Sequence, residues 1–259
     1  MEASLNSLLA IFAHPDDESI VAGGTLAKYA DEGWRTALIC ATRGEWGPIS
    51  DESLADYETL GQTRERELRD ACEALGVSWL RFLDLADGDV AALDTETQEA
   101  ALEKIVRSIR ELRPQIIITF GLDGLYGHTD HIAIGQLATT AREMAGDPNS
   151  FPQHLAENLE THYTPELLYA TVPLNFYPSL IARLAQQGRE SHLWGIPPEN
   201  FGVPPEEISI VNDITTFLDR KLEALRSHRT QLDDSHLFTL LTRETAAEFF
   251  GVEFFRRCG

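Results

Sequence analysis

Positive charge is what this chain has least of. Lys and Arg number 21 against 42 Asp and Glu, for a formal net charge of -21. That sign argues against nucleic acid and against membrane as partners, since both call for a basic face. Lysine occurs only at Lys28, Lys104 and Lys221. Cysteine is scarce as well. Cys40, Cys72 and Cys258 are odd in number and without CxxC spacing, which excludes a disulfide framework and a cysteine zinc site. Cys40 and Cys72 fall in apolar patterns and read as small buried hydrophobes, while Cys258 next to the terminus reads as exposed. No apolar run approaches the ~20 residues of a membrane span. The stretch Met1–Ser7 has no basic n-region of a signal peptide, so a cytoplasmic protein is expected. Gly23-Gly24-Thr25 is no dinucleotide fingerprint, since no GxGxxG follows a strand. Internal repeats and low-complexity tracts are missing too.

What remains is an ordinary globular composition, 43% hydrophobic and 24% charged over 259 residues, enough for one large α/β domain over 1–259. Apolar runs alternate with helical patterns. Strands are expected at 8–13, 36–41, 79–83, 115–120, 166–172 and 208–211. Helices are expected at roughly 22–32, 59–75, 95–112, 131–145 and 214–228, with a long loop at 43–58 and a Pro- and Gly-rich region at 173–205. Such alternation implies a three-layer α/β/α, Rossmann-like domain with a mostly parallel sheet. Ligands of such sheets bind beyond the carboxyl ends of the strands, at a topological switch point.

Two polar constellations stand at such strand ends. Ala13-His14-Pro15-Asp16-Asp17-Glu18 follows the apolar stretch from Leu8 to Phe12, and His128-Thr129-Asp130-His131 follows the strand at 115–120 and its glycine-dense loop. An acidic first helical turn is ordinary, because the helix dipole favours it, but His14 is disfavoured there. Two histidines and a carboxylate suit a catalytic metal that leaves one position for water. Pro15 pre-organises the turn and sets Asp16 and Asp17 at different angles. One carboxylate can then bind the metal while the other serves as general base. The expected activity is metal-dependent hydrolysis.

The chain resembles the LmbE-like (PIG-L) family of zinc-dependent N-acetylglucosamine deacetylases. The resemblance rests on the 13–18 motif, Thr42-Arg43-Gly44-Glu45, Arg64 and Glu67 ahead of Ala71 and Leu75-Gly76, Gly127-His128-Thr129-Asp130-His131, and Ser227-His228-Arg229-Thr230-Gln231. Thr129 departs from it, since the family usually has Pro there. The resemblance implies His14, Asp17 and His131 as zinc ligands, with Fe2+ or another divalent metal suited to the same donors. It implies Asp16 as general base and Asp130 as the group orienting a histidine. His128 would be a cation that stabilises the oxyanion or protonates the leaving amine, and Tyr126 would polarise the acetyl carbonyl. Arg64 and Arg43 would contact substrate, and Glu45 would bridge its loop to the site.

The implied substrate is a small soluble N-acetylglucosamine conjugate. An anionic aglycone such as malate is slightly favoured, and it would draw on Arg43 and Arg64. Hydrolysis of another small acylated amine or amino sugar is a second reading. A metal- or sugar-binding module without catalysis is a third, disfavoured by the spare carboxylate of Asp16. Trp46, Trp194, Phe176 and Tyr177 can stack on a sugar or simply pack. His228, at a helix end, can face the helix dipole or the substrate. Composition does not decide between a monomer and a homo-oligomer.

Overall fold

A strand whose six residues are all buried, β1 (Ser7–Phe12), begins the fold. The computed structural model describes residues 6–258, so the signal-sequence reading of residues 1–5 lies outside the described ones. After β1 come α1 (Asp17–Val21), α2 (Gly23–Asp31), β2 (Arg35–Cys40), α3 (Leu60–Leu75), β3 (Trp79–Phe82), α4 (Thr95–Leu112) and β4 (Ile116–Phe120). The second half holds α5 (Gly124–Gly127), α6 (Thr129–Gly146), α7 (Gln153–Ala156), β5 (Glu166–Thr171), α8 (Phe176–Gln186), β6 (Ile210–Asp213), α9 (Leu218–Ser227), α10 (Arg243–Phe250) and β7 (Val252–Arg257).

Among the described residues the strands form one seven-stranded sheet in the order β3-β2-β1-β4-β5-β7-β6. The five strands β1 to β5 pair in parallel, and β7 runs antiparallel between β5 and β6. Helices cover both faces, with α3 packed on α2 and α9, and α4 on α6. This is the expected three-layer α/β/α architecture. The chain steps outward from β1 to β2 and β3, then returns to place β4 on the other side of β1. The switch point therefore lies between β1 and β4, where the two histidine motifs emerge.

Two glycines fix local geometry. Gly76, at φ 75°, ends α3 in the left-handed region. Gly135 lets α6 lie against β4, since a Cβ there would sit 2.3 Å from the Phe120 carbonyl oxygen.

The structure departs from expectation in three places. The expected helix at 22–32 is preceded by α1, and α1 and α2 meet at Ala22. The 173–205 region contains α8, and the chain beyond 228 adds α10 and β7. No helix among the described residues is long and apolar enough to cross a membrane.

Candidate active site

Three side chains from two strand ends turn their free atoms towards one point. Asp17 Oδ2 accepts from the backbone N–H groups of Ala13 (3.1 Å) and His14 (2.9 Å), which leaves Oδ1 free. His131 Nδ1 lies 3.1 Å from the Gly124 carbonyl oxygen, an acceptor only, so Nδ1 carries the proton and Nε2 offers a lone pair. His14 Nε2 lies 3.2 Å from Asp87 Oδ1 and 3.3 Å from Asp130 Oδ2, which makes it the donor and leaves Nδ1 free. His14 Nδ1 stands 3.2 Å from His131 Nε2, which in turn stands 3.3 Å from Asp17 Oδ1.

Those two spacings match neighbouring ligands on a tetrahedral metal, where bonds of about 2.0–2.1 Å put donors roughly 3.3 Å apart. Two imidazole nitrogens whose partner nitrogens both donate cannot hydrogen-bond to each other without a cation between them. Burial alone would lower the His14 pKa, but hydrogen bonds to Asp130 and Asp87 and the Asp17 charge raise it to about 10, so a proton can play that part. Burial pushes the Asp17 carboxyl well above its usual range. Burial, with the charges of His14 and His128, holds His131 well below 6.5 and therefore neutral. Buried acids crowded around a neutral imidazole are what a divalent cation stabilises, so the donor set fits one.

His128 is the N-cap of α6, and its Nδ1 accepts from Asp130 N–H at 3.2 Å. Its Nε2 is then the protonated nitrogen, although His14, His128 and His131 also lie close enough together to hold a metal ion. Burial and the His14 charge lower its pKa, so these surroundings favour a neutral donor over the expected imidazolium. Asp130 is fully buried and orients His14, with Oδ2 also accepting from Gly88 N–H at 2.8 Å. Asp87 escaped the sequence reading. It follows β3 just as the two motifs follow β1 and β4, and that rule could have found it. Its Oδ2 accepts from Trp46 N–H at 3.0 Å.

Asp16 and Tyr126 line a cavity of about 330 Å³ with His14, Asp17, His128 and His131. Burial pushes the Asp16 carboxyl up to about 6, against the pull of His228. That suits a group that takes up and returns a proton near neutrality. Asp16 has φ 121°, and Leu125, just before Tyr126, has φ 69°. Backbone strain of this kind costs about 1–3 kcal/mol per residue and collects at functional sites. The lining also includes the largely apolar side chains of Val21, Tyr177, Trp194, Ile196 and Phe201. Phe176 packs in the core and Trp46 is exposed.

The expected substrate contacts fare unevenly. Arg43 does not line the cavity. Its guanidinium bonds Glu65 (2.7 Å) and Asp84 (2.8 Å) and lies over the Phe82 ring, so its charge is already taken up outside the cavity. Glu45 accepts from Asp87 N–H (3.0 Å) and so ties the 43–48 loop to the turn carrying Asp87, without lining the cavity. Arg64 does line it, but it is buried and clasps the loop through the carbonyls of Gly44 (2.6 Å) and Pro48 (2.8 Å).

The sequence profile of the PIG-L family, described as GlcNAc-PI de-N-acetylase, matches residues 9–142. The 1D-myo-inositol 2-acetamido-2-deoxy-alpha-D-glucopyranoside deacetylase of Thermomonospora curvata is 36% identical over 273 residues, covering 96% of this chain and 89% of that protein. The structure of N,N'-diacetylchitobiose deacetylase from Pyrococcus horikoshii is similar with a TM-score of 0.70 at 23% identity, over 98% of this chain and 84% of that one. A 4-carboxy-2-hydroxymuconate hydratase, GalB of Pseudomonas putida, is nearly as similar, with a TM-score of 0.69 at 20% identity over 98% of this chain and 97% of that one. At such identities the two structures speak for the fold, and the hydratase shows that this fold carries more than one chemistry.

Proposed function

This chain belongs to the PIG-L family, and we propose that it is a zinc-dependent N-deacetylase acting on a small uncharged glycoside of N-acetylglucosamine. The observation that carries the proposal is the convergence of three free donor atoms, His14 Nδ1, Asp17 Oδ1 and His131 Nε2, beside the uncommitted carboxylate of Asp16. His14, Asp17 and His131 would hold a divalent metal, which would supply positive charge to acidify water and polarise the amide carbonyl. Asp16 takes a proton from the attacking water and returns it to the leaving nitrogen. His128 Nε2–H and the Tyr126 hydroxyl donate to the carbonyl oxygen as it gains negative charge. Asp130 and Asp87 hold His14 by its outer nitrogen. A binding module has no use for Asp16, which favours catalysis over the non-catalytic reading.

The cavity walls favour a neutral aglycone over malate. Arg64 is the lone arginine of the lining, and its two terminal nitrogens are committed to backbone carbonyls, while Asp16, Asp17 and Asp87 also face inward. An added carboxylate would find no arginine in the lining with a terminal nitrogen left to receive it. The inositol glycoside in the name of the Thermomonospora curvata relative is uncharged, and it is the substrate class proposed here. The absence of a long apolar helix and the acidic composition suit a cytoplasmic setting.

The test is release of primary amine by the zinc-loaded chain from the inositol, malate and chitobiose forms of N-acetylglucosamine. The inositol form should be preferred to the malate form, and Asp16→Asn should lose roughly 10²–10⁴-fold in kcat. No amine from any of the three, with zinc, iron or cobalt loaded, would overturn the proposal.

A further inference from the structure

The Pro15–Asp16 peptide is gripped at both of its polar ends by side chains. Its carbonyl, on Pro15, accepts from Gln231 Nε2 at 2.7 Å. Its N–H, on Asp16, donates to Glu18 Oε2 at 3.1 Å. Glu18 Oε1 is held in turn by His228 Nε2 at 2.9 Å and by the Ser19 hydroxyl at 2.5 Å. Glu18 and His228 are each only 1% exposed. With both oxygens engaged, Glu18 is not a base for the reaction. The 228–231 turn is itself pinned, because Thr230 donates to Glu67 of α3 through its N–H (2.8 Å) and its hydroxyl (2.6 Å).

We propose that Glu18, His228 and Gln231 are positioning residues that together set the aim of Asp16. Fixing both ends of one peptide fixes its plane, and with it the rotation about the bonds on either side. On the Asp16 side that rotation is φ 121°, a conformation an L residue adopts only when its surroundings impose it. A relaxed φ would swing the carboxylate away from its place beside Asp17. The grip comes from a segment more than 200 positions away in sequence, so the base is aimed by the last quarter of the chain. His228 therefore neither meets substrate nor merely faces a helix dipole. The inference rests on the reading of Asp16 as the base.

The zinc-loaded enzyme tests it, with the inositol glycoside of N-acetylglucosamine as probe. His228→Leu and Gln231→Leu should each lower kcat by about 10- to 100-fold, the cost of misplacing a reacting group by an ångström or so. KM should stay within about three-fold, and bound zinc should be unchanged. His228→Gln, whose amide can still donate to Glu18, should recover most of the loss. Hydrogen exchange at the Asp16 amide should quicken in both Leu variants. In an Asp16→Asn background, His228→Leu should cost less than about two-fold more, because the group it aims is already disabled. An equal loss in both backgrounds would overturn the proposal, as would unchanged kcat in both Leu variants while Asp16→Asn is impaired. Should His228→Leu fail to fold, the Gln231→Leu arm decides by the same comparison. Unchanged turnover in Asp16→Asn alone would instead remove the reading of the base on which the proposal rests.

Discussion

His131 Nδ1 is held by a hydrogen bond to Gly124, and its ring lies parallel to Phe120 at a centroid distance of 4.0 Å. Both contacts leave Nε2 free, so His131→Ala should remove a metal donor with little else disturbed. About one equivalent of zinc should survive dialysis in the wild type and little in the variant, as read by elemental analysis; full retention would sink the ligand assignment. The two arginines make a contrasting pair. Arg64→Ala should depress turnover by freeing the 44–48 loop, whereas Arg43→Ala should leave KM within about two-fold for the inositol glycoside, since its ion pairs with half-buried Glu65 and exposed Asp84 lie outside the cavity. A rise in KM confined to Arg43→Ala would reverse that assignment. The histidines and their neighbouring carboxylates stood out in the sequence because two such motifs follow two apolar strands, where either alone could be an ordinary polar turn. Asp87 did not, being one carboxylate among 42 acidic residues. Which nitrogen of His14 faces inward was also hidden, because it depends on Asp87 and Asp130, carboxylates that follow other strands.

Helix α6 places both His128 and His131, and its seat on β4 depends on Gly135. Adding a Cβ 2.3 Å from a backbone carbonyl oxygen forces the helix to move, because that oxygen belongs to the sheet. Gly135→Ala should therefore cost about 1–3 kcal/mol, the usual range for overpacking, and should weaken zinc binding by shifting His131. Urea denaturation with a zinc titration checks both; an unchanged midpoint would show that the helix slides freely. Elements with an amphipathic or continuously apolar pattern were legible. α4 spans the expected 95–112, and β4 falls within the expected 115–120. β7 was not, because Glu253, Arg256 and Arg257 make it read as polar. Its Glu253 is buried, where it accepts from the N–H groups of Gly24 and Thr25 at the start of α2. Those partners lie some 230 positions away, beyond any local pattern.

Across the whole molecule, acid should act through buried histidine as well as through the carboxylates. His236 is fully buried, and burial, with the nearby His192 charge, lowers its pKa to about 3 against the opposing pull of Asp233. It is neutral in the fold, while the unfolded chain takes up a proton at this site below 6.5. Its contribution to stability is therefore complete above pH 6.5 and is lost progressively as pH falls towards 3. By pH 4 the loss is about 3 kcal/mol, at 1.36 kcal/mol per unit. His236→Asn keeps an acceptor for the Phe238 N–H, which His236 Nδ1 receives at 3.3 Å, but it cannot take up the proton. Every other titrating group is shared with the wild type, including Asp233, whose carboxyl is held down at about 2 despite partial burial by its Ser235 and His192 hydrogen bonds. The difference in slope between the two proteins therefore isolates His236. Denaturant unfolding measured at steps from pH 7 to pH 4 should show the wild type losing more stability than His236→Asn. Parallel curves would mean that His236 titrates alike in the folded and the unfolded chain, and would overturn this prediction.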